Sequence, residues 1–152
     1  VRLKRELYEC VMFGEGKDIP DYYVANRLYQ PSYVSLESAL SFYDMIPEEV
    51  AEVTSVTTKA TRTIRNKYGI FSYRTCKKNA FLGYRIMKIQ GYKVLIADRE
   101  KALVDFIYYR LIDGQNDFTK ERLNISGLKS KKVKEYAKKF NKKTLEIVKK
   151  LL

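Results

Sequence analysis

Residues Tyr84–Gly114 read YRIMKIQGYKVLIADREKALVDFIYYRLIDG. Two runs rich in β-branched and aromatic residues, Tyr84–Ile89 and Tyr92–Ala97, flank Gln90-Gly91, a dipeptide suited to a tight hairpin connection. Asp98 follows at once. Its carboxylate can accept from the orphan N–H groups of a helix start, and Glu100 sits favourably in the positive first turn. Ala102, Leu103, Phe106, Ile107 and Leu111 then recur as the core stripe of a helix that Gly114 stops. A hairpin feeding a capped, amphipathic helix predicts an α/β (α+β) chain.

The surrounding sequence extends that pattern. Thr61–Arg65 and Ile70–Thr75 flank Asn66–Gly69, a second hairpin, and Val53–Thr58 is dense in β-branched residues. The expected fold is an antiparallel sheet of four to five strands flanked by helices. Asp21–Tyr29 reads as a short helix ended by Pro31. Ser35 reads as the N-cap of a helix through Tyr43 that buries Leu36, Ala39, Leu40 and Tyr43, and Pro47 closes that unit. Thr119 is expected to cap a short helix ending near Gly127. Ser130 opens a lysine-rich helical segment whose apolar side is Val133, Tyr136, Ala137, Phe140, Leu145, Val148, Leu151 and Leu152. Val1–Glu9 reads as an extended or hairpin remnant, followed by a loop marked by Gly14, Gly16, Asp18 and Pro20. The expected organisation is 1–30, 31–114 and 115–152.

The 152 residues are 45% hydrophobic and 13% aromatic, enough for an ordered core and too apolar for wholesale disorder. There is no histidine. Serine triads and Cys-His hydrolases are thereby excluded in their usual forms, together with the commonest metal ligand. Cys10 and Cys76 form no CxxC pair; two reduced thiols in a cytoplasmic protein is the favoured reading, and a single disulfide the alternative. No apolar run approaches the roughly 20 residues of a membrane span, and Val1–Arg5 lacks the apolar centre of a signal peptide. Without an initiator Met, the sequence reads as a fragment or a processed chain. No glycine-rich phosphate loop is present, and neither a cofactor nor a metal is expected.

Thirty Lys and Arg against 18 Asp and Glu give a formal net charge of +12, and the excess is segregated. Lys59–Lys78 holds seven basic residues and no acid; Lys129–Lys150 holds ten lysines against Glu135 and Glu146, leaving the remainder slightly acidic. Concentration in two blocks favours an anionic partner. The candidate nucleic-acid contacts are Lys59, Arg62, Arg65 and Arg74 in the first block. In the second they are Lys131, Lys132, Lys138, Lys139, Lys142 and Lys143. Lysine without interleaved arginine suits phosphate tracking more than base readout. A solvated helix face explains the same lysines without a ligand, whereas membrane binding needs bulkier apolar residues than Val133 and Ala137. In a strand, Thr61, Thr63 and Arg65 point one way and Arg62 and Ile64 the other, so the first block cannot line one face of a flat sheet. Asp98, Glu100 and Lys101 invite a metal-dependent nuclease reading; helix capping explains them by ordinary mechanics. Glu37 has no partner carboxylate nearby in sequence.

Four strings occur in order: Ser35-Leu-Glu-Ser-Ala-Leu40; Val56-Thr-Thr-Lys59 with Thr61-Arg62; Gly69-x-Phe71-x-Tyr73; and Ala97-Asp-x-Glu-Lys-Ala-Leu103 with Asp105. Together they resemble the C-terminal domain of AbiEi-type abortive-infection antitoxins, transcriptional regulators of viral defence, over roughly Pro31–Tyr109. The resemblance implies a non-enzymatic domain that counters a cognate toxin of the nucleotidyltransferase class and follows a winged helix-turn-helix binding double-stranded promoter DNA. Arg2-Leu-Lys-Arg-Glu-Leu-Tyr8 looks like the last strand of that wing, with Arg2, Lys4 and Arg5 as its basic residues, although Glu6 stands where the family commonly has glycine. The recognition helix has no counterpart here. Past about Gly114 the resemblance fades, so it implies nothing for the lysine-rich tail. A metal-dependent nuclease and a protein-interaction module with a solubilising basic face are the two alternatives from other classes.

Overall fold

The computed structural model describes residues 19–152. A six-stranded mixed sheet is formed by β1 (Ser32–Val34), β2 (Val53–Thr57), β3 (Arg62–Asn66), β4 (Gly69–Thr75), β5 (Tyr84–Ile89) and β6 (Tyr92–Ala97). Its order is β3-β4-β2-β1-β6-β5. Both expected hairpins form, β3–β4 and β5–β6, with Asn66 opposite Gly69 and Ile89 opposite Tyr92. The sheet is not purely antiparallel, however. The hairpins are the two outer pairs, and each joins the central antiparallel β1–β2 pair through a parallel contact, β4 to β2 and β6 to β1. Parallel pairing links segments distant in sequence, and a three-residue strand is too short to show a period, so neither feature is written in local patterning.

Among the described residues five α-helices accompany the sheet: α1 (Asp21–Leu28), α2 (Leu36–Phe42), α3 (Arg99–Ile112), α4 (Ser130–Lys138) and α5 (Lys142–Leu151). Tyr73 of β4 donates to the Ala25 carbonyl of α1 at 2.6 Å, which sets α1 on one face. From β1, Tyr33 reaches Asp105 of α3 on the other. The helix after the second hairpin is capped as its sequence implies, with the Asp98 carboxylate accepting from the Lys101 N–H at 2.8 Å. It is not a one-sided helix. Every residue from Glu100 to Ile107 is buried, because α2, α4 and α5 pack around the sides that the sheet leaves.

Two local expectations need correction. Ser35 occupies the N-cap position of α2, but its hydroxyl makes no cap bond and donates to Asp105 instead (2.7 Å). α2 is held on β2 by a reciprocal network: Thr54 donates its hydroxyl to the Ser35 carbonyl and accepts from the Ser38 N–H, while the Ser38 hydroxyl accepts from the Thr54 N–H. Residues 119–127 form turns and no regular helix. Asp117 accepts from the N–H and hydroxyl of Thr119, and Asn124 from those of Ser126; such side-chain-to-backbone bonds compete with helical pairing. The C-terminal segment is two helices, broken at Phe140 and restarted by Asn141, whose side chain accepts from the Thr144 N–H at 2.8 Å.

Because β1 is so short, the edge of β6 that faces it has a strand partner only where Val34 stands opposite Ile96. Asn26 of α1 replaces it. Its amide accepts from the Leu95 N–H (2.8 Å) and donates to the Leu95 carbonyl (3.2 Å), acting as one residue of a missing strand. Asn26→Leu keeps the bulk and leaves both Leu95 groups without a partner. It is expected to lower unfolding stability in urea by about 2–4 kcal/mol; a loss under about 0.5 kcal/mol contradicts this role.

Candidate nucleic-acid interface

The two basic blocks take different forms in space. At the end of α1, the Tyr29 ring packs against Tyr73 (centroids 5.1 Å apart) and its hydroxyl donates to the Ala60 carbonyl. This fixed ring carries two cations: Lys59 Nζ lies 5.2 Å and the Arg62 guanidinium 5.5 Å from its centroid. Register places Arg62 opposite Tyr73, on the α1 side, and Arg65 opposite Ile70, on the α3 side. Lys59 and Arg62 therefore form one basic spot, and exposed Arg65 belongs to the other face. The alternation expected from strand geometry holds.

Arg74 also lies on the α3 side, committed to a partner. Its guanidinium makes a two-pronged contact with Asp113, both bonds 3.0 Å, and stacks over Tyr109 at 4.9 Å. That contact raises the Arg74 pKa and holds the Asp113 carboxyl below its usual range. The pair lines a cleft of about 280 Å³ with Thr54, Thr63 and Ser72, where Arg110 meets Glu37 at 3.3 Å. Glu37, isolated in sequence, is thus paired in space.

The C-terminal helices bury Val133, Ala137, Phe140 and Val148 and turn their lysines outward. Lys131, Lys138, Lys139, Lys142 and Lys143 are exposed, and among the described residues none of the five is ion-paired. Four of them fall within six residues around the α4–α5 junction, where the N-terminus of α5 adds its own partial positive charge. Lys132 differs: it lies 2.9 Å from Asp98 and 3.6 Å from Glu100, and the bond to Asp98 raises its pKa.

Asp98 and Glu100 hold the tail to α3. Asp98 accepts from the Tyr136 hydroxyl (2.6 Å) in addition to capping, and Glu100 accepts from the Lys129 N–H (3.1 Å). Lys101 points away from both carboxylates into the interior, where it contacts Asp105 and donates to the Tyr33 hydroxyl at 2.9 Å. The three residues of the nuclease reading thus serve capping, tail docking and the core. Among the described residues, no group of three or more His, Cys, Asp or Glu is placed to hold a metal ion, and no helix is long and apolar enough to cross a membrane. Arg2, Lys4, Arg5 and Cys10 lie outside the described residues.

Sequence reasoning missed Tyr29 as a cation platform and Asp105 as the partner of Lys101. For the latter a signal existed, since Lys and Asp four apart on a helix are neighbours. Compared with models of known protein families, the chain matches none, and no curated protein matches it either.

Cys76, half-buried just past the end of β4, lies within electrostatic reach of Lys101 and Asp105. Burial pushes its thiol up to about 11, against an opposing pull from Lys101. A raised thiol pKa means less thiolate at neutral pH, hence slower alkylation. In a Cys10→Ser chain at pH 7.5, iodoacetamide is expected to react about 100-fold or more slowly than with an unhindered cysteine. The rate should still rise with each pH unit up to about pH 10; a plateau near pH 8.5 contradicts the assignment.

Proposed function

We propose that this chain is the regulatory domain of an abortive-infection antitoxin. In this reading it acts in the cytoplasm without catalysing a reaction, binds promoter DNA in its full form, and restrains a nucleotidyltransferase-type toxin. The four strings that resemble the family meet in pairs: Ser35 and Asp105, 70 positions apart, lie 2.7 Å apart, and Arg62 stands opposite Tyr73 in the sheet. Residues of the string around Asp98 also cap α3 and dock the tail. Those contacts support reading the strings as parts of one folded domain.

The DNA-binding part rests on the α4–α5 junction. Lys138, Lys139, Lys142 and Lys143 are exposed together, with no acid between them in sequence. Lysines of this kind neutralise phosphates, release counterions and read no sequence. The Lys59–Arg62 spot over Tyr29 is a second, smaller grip. Arg74 and Lys132, whose charges are already matched by carboxylates, contribute less.

Anisotropy titrations against a promoter duplex and a scrambled duplex test this. Alanine at the four junction lysines is expected to flatten the slope of log K against log salt by up to about 3.6, and Lys59→Ala with Arg62→Ala by up to about 1.8. Both losses should be the same on the two duplexes. Unchanged slopes contradict the assignment, and absence of binding even at low salt leaves the lysines as a solubilising face.

A further inference from the structure

β5 is an outer strand of the sheet, and among the described residues nothing pairs with its free edge. Alternate residues of such a strand direct N–H and C=O groups outward, a template for another strand. Its side chains are unusual for an edge left to water. Ile86, at mid-strand, is 62% exposed, the most exposed large hydrophobic side chain among the described residues, and Tyr84 is 37% exposed. Arg85 and Lys88 flank Ile86, and Lys93 lies opposite Lys88 on β6. No acidic residue occurs between Lys77 and Ala97.

Edge cations ordinarily guard against self-association, which accounts for Arg85 and Lys88 and leaves Ile86 unexplained. The same cations discriminate between occupants. Two copies joined along β5 would line the seam with Arg85 and Lys88 of each, four cations and no carboxylate. A strand alternating apolar residues with Asp or Glu would cover Ile86 with one face and place carboxylates beside Arg85 on the other. We infer that β5 is a docking edge for an extended, acidic and apolar segment of a partner protein, bound by strand addition. This surface is separate from the lysines at the α4–α5 junction and does not depend on the phosphate reading.

The test uses the full chain and two blocked ten-residue peptides, one alternating Val and Glu, the other Val and Lys. Amide hydrogen exchange is followed residue by residue. The Val-Glu peptide is expected to slow exchange of the outward β5 amides at least about tenfold, the Val-Lys peptide to leave them unchanged. Ile86→Lys, at an exposed position that the fold tolerates, should abolish the protection. Arg85→Glu should transfer it to the Val-Lys peptide. The inference is overturned if β5 amides are already protected in the free chain. Protection confined to another element, or a dimer in sedimentation that Ile86→Lys dissociates, overturns it equally.

Discussion

Lys101 and Asp105 face each other one helical turn apart on α3, both without solvent exposure. Removing two charges from water costs several kcal/mol per ion, and their attraction offsets it only where the remaining hydrogen-bonding capacity is satisfied. Here it is satisfied from three directions. Tyr33 of β1 donates to Asp105 and accepts from Lys101; Ser35, at the start of α2, donates to Asp105; Phe140, between α4 and α5, lays its ring 4.8 Å from the ammonium. Burial pushes the Asp105 carboxyl up while Lys101 and the two hydroxyls pull it back. The pair therefore sets where β1, α2 and the C-terminal helices can sit. Gly83 shows how tight the arrangement is. At φ +79°, a Cβ there would lie 2.8 Å from Lys101 Cγ and 3.0 Å from the Tyr136 ring, so glycine is needed for backbone and lysine stem to pass.

Much of this architecture was legible in the sequence wherever it is local. Gln90-Gly91 and Asn66–Gly69 mark the hairpins, and Asp98 marks the start of α3 because its cap needs only the residues that follow. What was not legible depends on distant contacts. The parallel joints of the sheet, the strand-like role of Asn26 and the pairing of Glu37 with Arg110 all link segments far apart in sequence. Ser35 is instructive: its position as first flank of α2 follows from residue type, but its partner is chosen by the buried ion pair. Of the site, the two basic blocks and the split of Arg62 from Arg65 were legible, and the partners of Arg74 and Lys132 were not. Arg74 and Lys132 lose their independence to carboxylates that only folding brings near.

The distribution of charge also explains how a chain of net charge +12 packs its own basic tail. α4 meets α3 through Asp98 and Glu100, which take the Lys129 N–H, Lys132 and the Tyr136 hydroxyl. Lys77 donates to the Phe140 carbonyl at 3.3 Å, fixing the turn between the two terminal helices. With the apolar side held in this way, the junction lysines face solvent as a group. The same docking thus seals the buried ion pair and displays the proposed phosphate grip, so tail placement and surface charge are one structural fact.

The most direct measurement of the central claim is a double-mutant cycle in urea on Lys101→Met, Asp105→Leu and both together. Each single change leaves an unpaired buried charge and is expected to cost about 3–5 kcal/mol, whereas the double variant, with the charges removed together, should cost far less than the sum. The tail should follow the same pattern, with α4 amides exchanging faster in each single variant than in the double. Small, additive losses with α4 unaffected would contradict the view that this ion pair organises the fold.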